Sequence, residues 1–469
     1  MKKYLNFKEI AAYSLGLFGF QMIVGLLNSY QAEFYHEVLG ADLAIVGILI
    51  CVVKIISSVF DPFVGNRIAN KGKLKPFILY AIAPFAIMTV IIFCNVSGFI
   101  KGTAVYVWIF ITFLLWSMAM TIGDVPSQGI ASVLTPNPEE KTSTISLANT
   151  FKEIGFSASA VVVPAACIVV YQFTKEGSKV FVSSGEKDAP ISALQFFVSA
   201  IVCAILGCIL FALIYTGTKE RVPYSAEKMS MKEMFATLKS NKPLMLVVIS
   251  YLLGSVRKIS MAIQVQAANV MLGSQQYVVL FGICMGLGSV ISMVIIPLLF
   301  KKWDEKKVTI IVSIYGFVVS MAAFLIYTFI TTNMIVMFIM MFLSGLQFGI
   351  VNIVPMIMVA DCVDYHEYET GKRIEGPAFS VLTLTIKCAL AISAAIGLAM
   401  LKVANYEAGT DFSVLTEGVV YTKRMVYFTF VGMPGIGSLL SIIPLLKYDL
   451  VGEKKKKIAA ELQARRENN

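Results

Sequence analysis

Long apolar runs alternate with short polar connections along almost the whole chain. The runs cover about 8–30, 41–69, 76–97, 104–134, 142–172, 193–216, 244–270, 276–300, 308–330, 333–360, 376–402 and 425–446. Each reaches the roughly 20 apolar residues a helix needs to cross a bilayer. The pattern therefore predicts an all-α membrane protein with twelve transmembrane helices. In lipid, backbone polar groups must be satisfied inside each segment, which a helix achieves alone. The second, fourth, fifth and tenth runs exceed the hydrophobic minimum and are expected to continue as helix beyond the membrane. Met1-Lys2-Lys3 leads straight into the first run without a small-residue cleavage site, so no cleavable signal peptide is expected.

The polar stretch 217–243 separates six runs from six. It predicts two six-helix bundles, 1–216 and 244–446, joined by a cytoplasmic linker, with a tail at 447–469. Short basic connections recur at matching places in the two halves, after the second run and after the eighth. That recurrence suits an internal repeat with a binding site between the halves. Lys71, Lys73 and Lys75, then Lys219, Arg221 and Lys239, then Lys302, Lys306 and Lys307, and finally Lys454 to Lys457 all fall in even-numbered connections or the tail. The positive-inside rule puts these connections and both termini in the cytoplasm. Stretches 171–190 and 405–422 read as surface loops, and the tail from Val451 reads as a short solvated helix.

Composition agrees: 57% of residues are hydrophobic and only 14% charged, against about 25% charged in soluble domains. The net charge of +10 reflects topology and contact with anionic lipid. No basic, aromatic-rich domain points to nucleic acid. The eight cysteines are scattered without metal-ligand spacing, and with His36 and His366 as the only histidines neither a disulfide nor a transition-metal site is expected. No nucleophile–base pair or phosphate loop appears, so an enzyme is not expected.

Charged residues inside the runs carry the chemistry, because ionisable groups in lipid are expensive and tend to be functional. Lys54, Ser57, Ser58 and Asp61 lie at i, i+3, i+4 and i+7, on one helix face. They make either a site or a structural ion pair that orients helices. Ser14, Gln21 and Asn28, spaced by seven, form a stripe on the first run. The glycines around them, Gly16, Gly19 and Gly25, equally suit close helix packing. Asp124, followed by Pro126, Ser127 and Gln128, lies well inside the fourth run and could take a proton, a cation or sugar hydroxyls. Asn149, Lys152 and Glu153 follow in the fifth. Arg257 and Lys258 are adjacent in the seventh run, about 100° apart on a helix, so they should not share one partner; snorkelling to an interface is the ordinary alternative. Thr383 and Lys387 share a face of the eleventh run, where a lone lysine needs an anion. Between the tenth and eleventh runs, Asp361, Asp364, Tyr365, Glu367, Arg373 and Glu375 supply alternating charges for a cytoplasmic gate, or belong to an exposed loop.

Three stretches together resemble the glycoside–pentoside–hexuronide:cation symporter family. They are Asp61-Pro62-x-x-Gly65 with Gly72-Lys73-Leu74-Lys75-Pro76, then Asp124-Val125-Pro126, and the run from Asp361 to Gly376 continuing to Lys387. The resemblance implies a major-facilitator-type fold and alternating access, with a sugar moved alongside H⁺, Na⁺ or Li⁺. It implies that Asp61 is a cation-site carboxylate, that Asp124 serves both cation and sugar, and that Lys387 and nearby Thr383 belong to the same network. Lys54 takes the place of an arginine. Ser57 stands where the family usually has a second cation-site aspartate, Gln21 where a sugar-binding aspartate is found, Asn149 where an arginine contacts sugar, and Gln128 where there is an aromatic. Two acids are thus lost from the expected lining.

The reading is a secondary active sugar:cation symporter of the cytoplasmic membrane. Asp61, Asp124, Ser57, Ser58 and Lys387 serve cation coupling. Gln21, Asp124, Gln128, Asn149, Lys152, Thr383 and Lys387 contact substrate, and Lys54, Arg257 and Lys258 complete a charge network. The surplus of cations favours an anionic sugar, and the missing aspartate favours H⁺ over Na⁺ as coupling ion. No other cofactor is expected, and the chain is expected to work as a monomer. The alternatives are an uncoupled facilitator or exchanger of a neutral glycoside, and a carrier of a lipid-like substrate.

Overall fold

In a computed structural model of the chain, residues 4–467 are described except 72, 136–137, 181–188, 222–235, 237, 301, 372–374, 408–409 and 413. Most of the central linker and Arg373 therefore lie outside the described residues, as does the side chain of Glu375. The described elements are helical. They run α1 (Phe7–Glu37), α2 (Leu43–Lys71), α3 (Lys75–Ile92), α4 (Thr103–Leu134), α5 (Pro138–Thr174), α6 (Ala193–Gly217), α7 (Lys242–Leu253), α8 (Ile259–Ala262), α9 (Gln264–Leu272), α10 (Val278–Phe300), α11 (Glu305–Leu325), α12 (Met334–Thr370), α13 (Glu375–Val403), α14 (Glu417–Tyr427), α15 (Met433–Leu445) and α16 (Gly452–Glu467). Several join end to end, so that among the described residues twelve continuous helical stretches are long and apolar enough to cross a membrane.

Polar residues at the run boundaries start and stop these helices. The Ser192 hydroxyl accepts from the Gln195 amide at 3.2 Å at the start of α6. Asn241 accepts from Leu244 N at 3.0 Å at the start of α7, and Asn333 from Ile335 N at 2.8 Å at the start of α12. Each satisfies an amide that the first helical turn leaves without a partner. α12 ends at Gly371, whose φ of 71° suits a residue without a Cβ.

The chain forms two compact units. The first holds Met1–Lys228, Gln264–Val279 and Asn405–Val420; the second holds Met229–Ile263, Leu280–Ala404 and Tyr421–Asn469. Within the first, α1 runs against α5 and α6 at near backbone contact. A Cβ on Gly25 would lie 2.2 Å from the Phe156 carbonyl oxygen, and one on Gly155 would lie 2.3 Å from that of Phe18. Gly19 and Gly207 meet in the same way where α1 meets α6. The glycines of the α1 stripe thus serve close packing, as such residues do in membrane bundles. Phe20 fills the space beside them against Phe85 and Phe211, with ring centroids 5.0 and 4.8 Å away.

Two expectations change. The run at 244–270 is not one helix: α7 passes into a 3-10 turn at Gly254–Lys258, then α8, and breaks at Ile263 before α9. Arg257 folds back over Gly254, where a Cβ would sit 2.2 Å from its Nη2. The tail is a helix, α16, but it is not simply solvated: Ile458 and Leu462 are buried in the core of the second unit with Val359, Cys362 and Tyr448.

Candidate functional site

In the first unit, α2 and α4 bring charged groups together. The α2 face predicted from sequence forms: Ser57 and Ser58 are buried, while Lys54 and Asp61 are half-buried. The two hydroxyls donate back to the Lys54 carbonyl, at 3.0 and 2.7 Å. Serine in a helix interior commonly bonds its own backbone in this way. The Lys54 ammonium reaches α1 and donates to Asn28 Oδ1 at 3.2 Å. Asn28 in turn donates to the Val24 carbonyl at 2.8 Å, so one residue of the α1 stripe belongs to this network.

Asp61 accepts from Thr121 Oγ1 at 3.0 Å. Thr121 precedes Asp124 by about one helical turn, so α4 carries the hydroxyl that meets one carboxylate and, on the next turn, the second carboxylate. Asp124 is 8% exposed. Both its oxygens accept from Gln128 Nε2, each at 3.1 Å. Tyr13 of α1 closes this region by donating to the Ser127 carbonyl at 3.1 Å. The remaining candidates of this unit are Gln21 on α1, half-buried, with Lys152, half-buried, and Asn149, exposed, on α5.

In the second unit, the 3-10 turn sends the adjacent cations apart. Arg257 is 6% exposed and donates to Ser441 Oγ at 3.0 Å. Among the described residues no carboxylate pairs with it. Lys258 instead lies over the Tyr251 ring, 5.4 Å from its centroid. On α13, Lys387 is half-buried and Thr383, one turn earlier, is exposed.

The predicted gate residues Asp361, Asp364, Tyr365 and Glu367 lie on the last turns of α12. Asp361 accepts from Lys455 of α16 at 2.7 Å, and the same ammonium bonds Glu305 of α11 at 2.7 Å. Burial alone would lower the Lys455 pKa, but its bonds and charge attraction to the two carboxylates raise it overall. Lys454 pairs with Asp449 at 2.7 Å and lies over the Tyr365 ring, 5.2 Å from its centroid. The hydrogen bond from Lys454 holds the Asp449 carboxyl below its ordinary value, against a smaller opposing effect of burial. Tyr365 donates to Glu369 one turn on. Sequence reading names Asp361 as a gate candidate without its partners, because Lys455 lies in a lysine run that reads as a solvated tail.

A further group escaped sequence reasoning. Glu33, on the last turns of α1, is 0% exposed. It receives hydrogen bonds from Gln266, Gln275 and Tyr406. Its only signal in the sequence was a carboxylate just beyond the end of an apolar run, where acids are commonplace.

Among the described residues, twelve candidate spans, two of them holding Asp61 and Asp124, mark a multi-pass membrane protein. The profile of the MFS/sugar transport protein family matches residues 12–451, so the chain belongs to that family and to its glycoside–pentoside–hexuronide-like symporters. It is 26% identical over 474 residues to the glucuronide carrier protein homolog of Escherichia coli, covering 99% of this chain and 97% of that one. It is 25% identical to the isoprimeverose transporter of Lactiplantibacillus pentosus, covering 98% and 92%. The fold is that of the major facilitators: a D-xylose–proton symporter structure superposes with a TM-score of 0.64 at 16% identity, covering 97% of this chain and 99% of that one.

Proposed function

We propose that the chain is a secondary active symporter that carries an acidic sugar together with a proton by alternating access. The observation that carries this reading is Asp124. It is a buried carboxylate in a membrane span whose hydrogen-bond donor is the neutral amide of Gln128. A charge in that setting needs balance, and a proton or cation arriving with the cargo would supply it. Asp61, bonded by Thr121 about one turn before Asp124 on α4, is the second coupling carboxylate. The face around it offers two serines, whose hydroxyls donate to the Lys54 carbonyl, in place of another acid. That favours a proton over sodium, which a second carboxylate would help to hold.

Cargo is read from charge. Arg257 is buried beside a serine hydroxyl, and among the described residues no carboxylate pairs with it. A cation so placed favours an anion, and a relative named a glucuronide carrier protein homolog supports that class. Gln21, Gln128, Asn149, Lys152 and Thr383 are the proposed sugar contacts, with Lys387 linking cargo to coupling ion. The chain works in the cytoplasmic membrane with both termini inside, as a monomer built from two six-helix bundles. The α12 acids form the cytoplasmic gate, and no resident cofactor takes part.

The test is uptake into proteoliposomes of a glucoside and the matching glucuronide, with and without an inward proton gradient. Concentrative uptake of the glucuronide alone, abolished by a protonophore, is expected. Uptake of the neutral sugar alone would overturn the acidic-sugar reading. Uptake indifferent to the gradient would overturn coupling.

A further inference from the structure

We propose that Glu33 and Glu37 form a second proton-binding site, in which one shared proton ties the end of α1 to the segments Gln264–Val279 and Asn405–Val420. All three segments belong to the first compact unit. Glu33 and Glu37 stand one turn apart on α1. A single nitrogen, Gln275 Nε2, donates to Oε1 of both, at 2.5 Å to Glu33 and 2.9 Å to Glu37. Tyr406 adds its hydroxyl to Glu33 Oε1 at 3.3 Å, and Gln266 gives its amide to the other oxygen. Asn269 supports Tyr406 from behind at 3.4 Å.

The charge balance of this cluster is wrong for two carboxylates. Among the described residues no lysine or arginine pairs with either. The titratable groups facing the pair are His36 on the same helix and Tyr406; α9 and the turn at Gln275–Tyr277 present amides to it. His36 Nδ1 lies 3.0 Å from the Ala41 carbonyl. His36 Nε2 has no hydrogen-bond partner, so the ring bonds neither carboxylate. Two like charges sharing one donor in a buried place are strongly opposed.

The donor count points the same way, independently of charge. Gln266 is 0% exposed, and its Oε1 has no hydrogen-bond partner; neither has Glu37 Oε2. Ionised carboxylates only accept, and an amide oxygen only accepts. The cluster therefore holds more buried acceptors than donors. A proton on one carboxyl removes a charge and adds an O–H donor in the same act. The amide of Gln266 can turn to receive it, since the two ends of an amide are nearly isosteric.

The consequence is a proton-held latch. With the proton in place, α1 is bonded to both segments. On its loss the carboxylates repel and Gln275 can no longer serve both equally. The site is separate from Asp61 and Asp124 and does not depend on what the chain carries. With both termini cytoplasmic, a point that rests on the topology proposed above, this end of α1 faces the outside.

The test uses purified wild-type protein in detergent without substrate. Its infrared spectrum at neutral pH should contain a carboxylic-acid C=O band that shifts in D₂O and vanishes on alkalinisation. The double variant Glu33→Gln, Glu37→Gln should lose that band while retaining a cooperative thermal transition; Glu33→Gln alone serves if the double variant does not fold. Amide exchange of Gln264–Val279, corrected for its intrinsic pH dependence, should accelerate several-fold as the wild-type band vanishes, and not in the variant. The proposal is overturned if the wild type lacks the band at neutral pH, or if the variant keeps it, which would place the proton at Asp61 or Asp124. Exchange that ignores the titration would overturn the latch.

Discussion

At the scale of single residues, position within an apolar run separates what can be read from sequence from what cannot. Asp61 and Asp124 stand out because nothing charged belongs where they are, and the structure bonds Asp61 to Thr121, about one turn before Asp124 on α4. Replacing Asp61 by Asn keeps the acceptor for Thr121 but removes the charge. If Asp61 carries the coupling ion, D61N should still exchange labelled for unlabelled sugar across the membrane. It should lose accumulation against a gradient by at least tenfold, about 1.4 kcal/mol of coupling. Intact accumulation in D61N would remove Asp61 from the coupling path. Glu33 was illegible for the opposite reason. It follows an apolar run, and its partners are amides and a phenol from residues more than 200 positions away, uncharged groups that leave no pattern in the sequence.

At the scale of elements, the glycines on α1 show how much packing a sequence can hide. Gly25 and Gly155 meet each other's helices at carbonyl oxygens 2.2 and 2.3 Å from where a Cβ would be. Backbone atoms cannot swing aside, so Gly25→Ala must push α1 and α5 apart. Overpacking of this kind costs about 1–3 kcal/mol. G25A is expected to lower the thermal midpoint in detergent. The same change at Gly155 should act on the same contact, so the pair should be less than additive. A G25A protein as stable as wild type would mean that α1 and α5 do not approach this closely.

The tail is the second lesson at this scale. Four consecutive lysines read as a solvated run, yet one of them, Lys455, bridges Glu305 and Asp361, and the helix is anchored by Ile458 and Leu462. The pattern betrayed the helix but not its docking, because two apolar residues do not define a face. Since the folded-state pKa of Lys455 is raised, its contribution is complete below the ordinary lysine value. It is lost only as pH rises through the higher folded value. The contribution of Lys455 should therefore hold through the neutral range and fail under strong alkali. Lys455→Ala should loosen the docking of α16 at every pH. Trypsin cleavage within 454–457 reports both: faster cleavage of K455A at neutral pH is expected, and equal rates would show that the bridge contributes nothing.

At the scale of the whole molecule, charge asymmetry predicts orientation. The basic connections fall on one parity, at Lys71 to Lys75, at Lys302 to Lys307 and at the tail, which the positive-inside rule assigns to the cytoplasm. Ion pairing does not cancel this signal, because the rule follows the count of lysine and arginine near span ends rather than net charge. The twelve candidate spans among the described residues, being even in number, then return the C-terminus to the side where the N-terminus began. Alkaline phosphatase, active only outside the cytoplasm, should be silent when fused after Asn469 and active when inserted near Gly98, in the third connection. A fluorescent protein that matures only in the cytoplasm should report the reverse. Active phosphatase at the C-terminus would invert the molecule. The α12 acids would then lie at the outer face, and the Glu33–Glu37 pair would meet the proton concentration of the cytoplasm instead of that outside the cell.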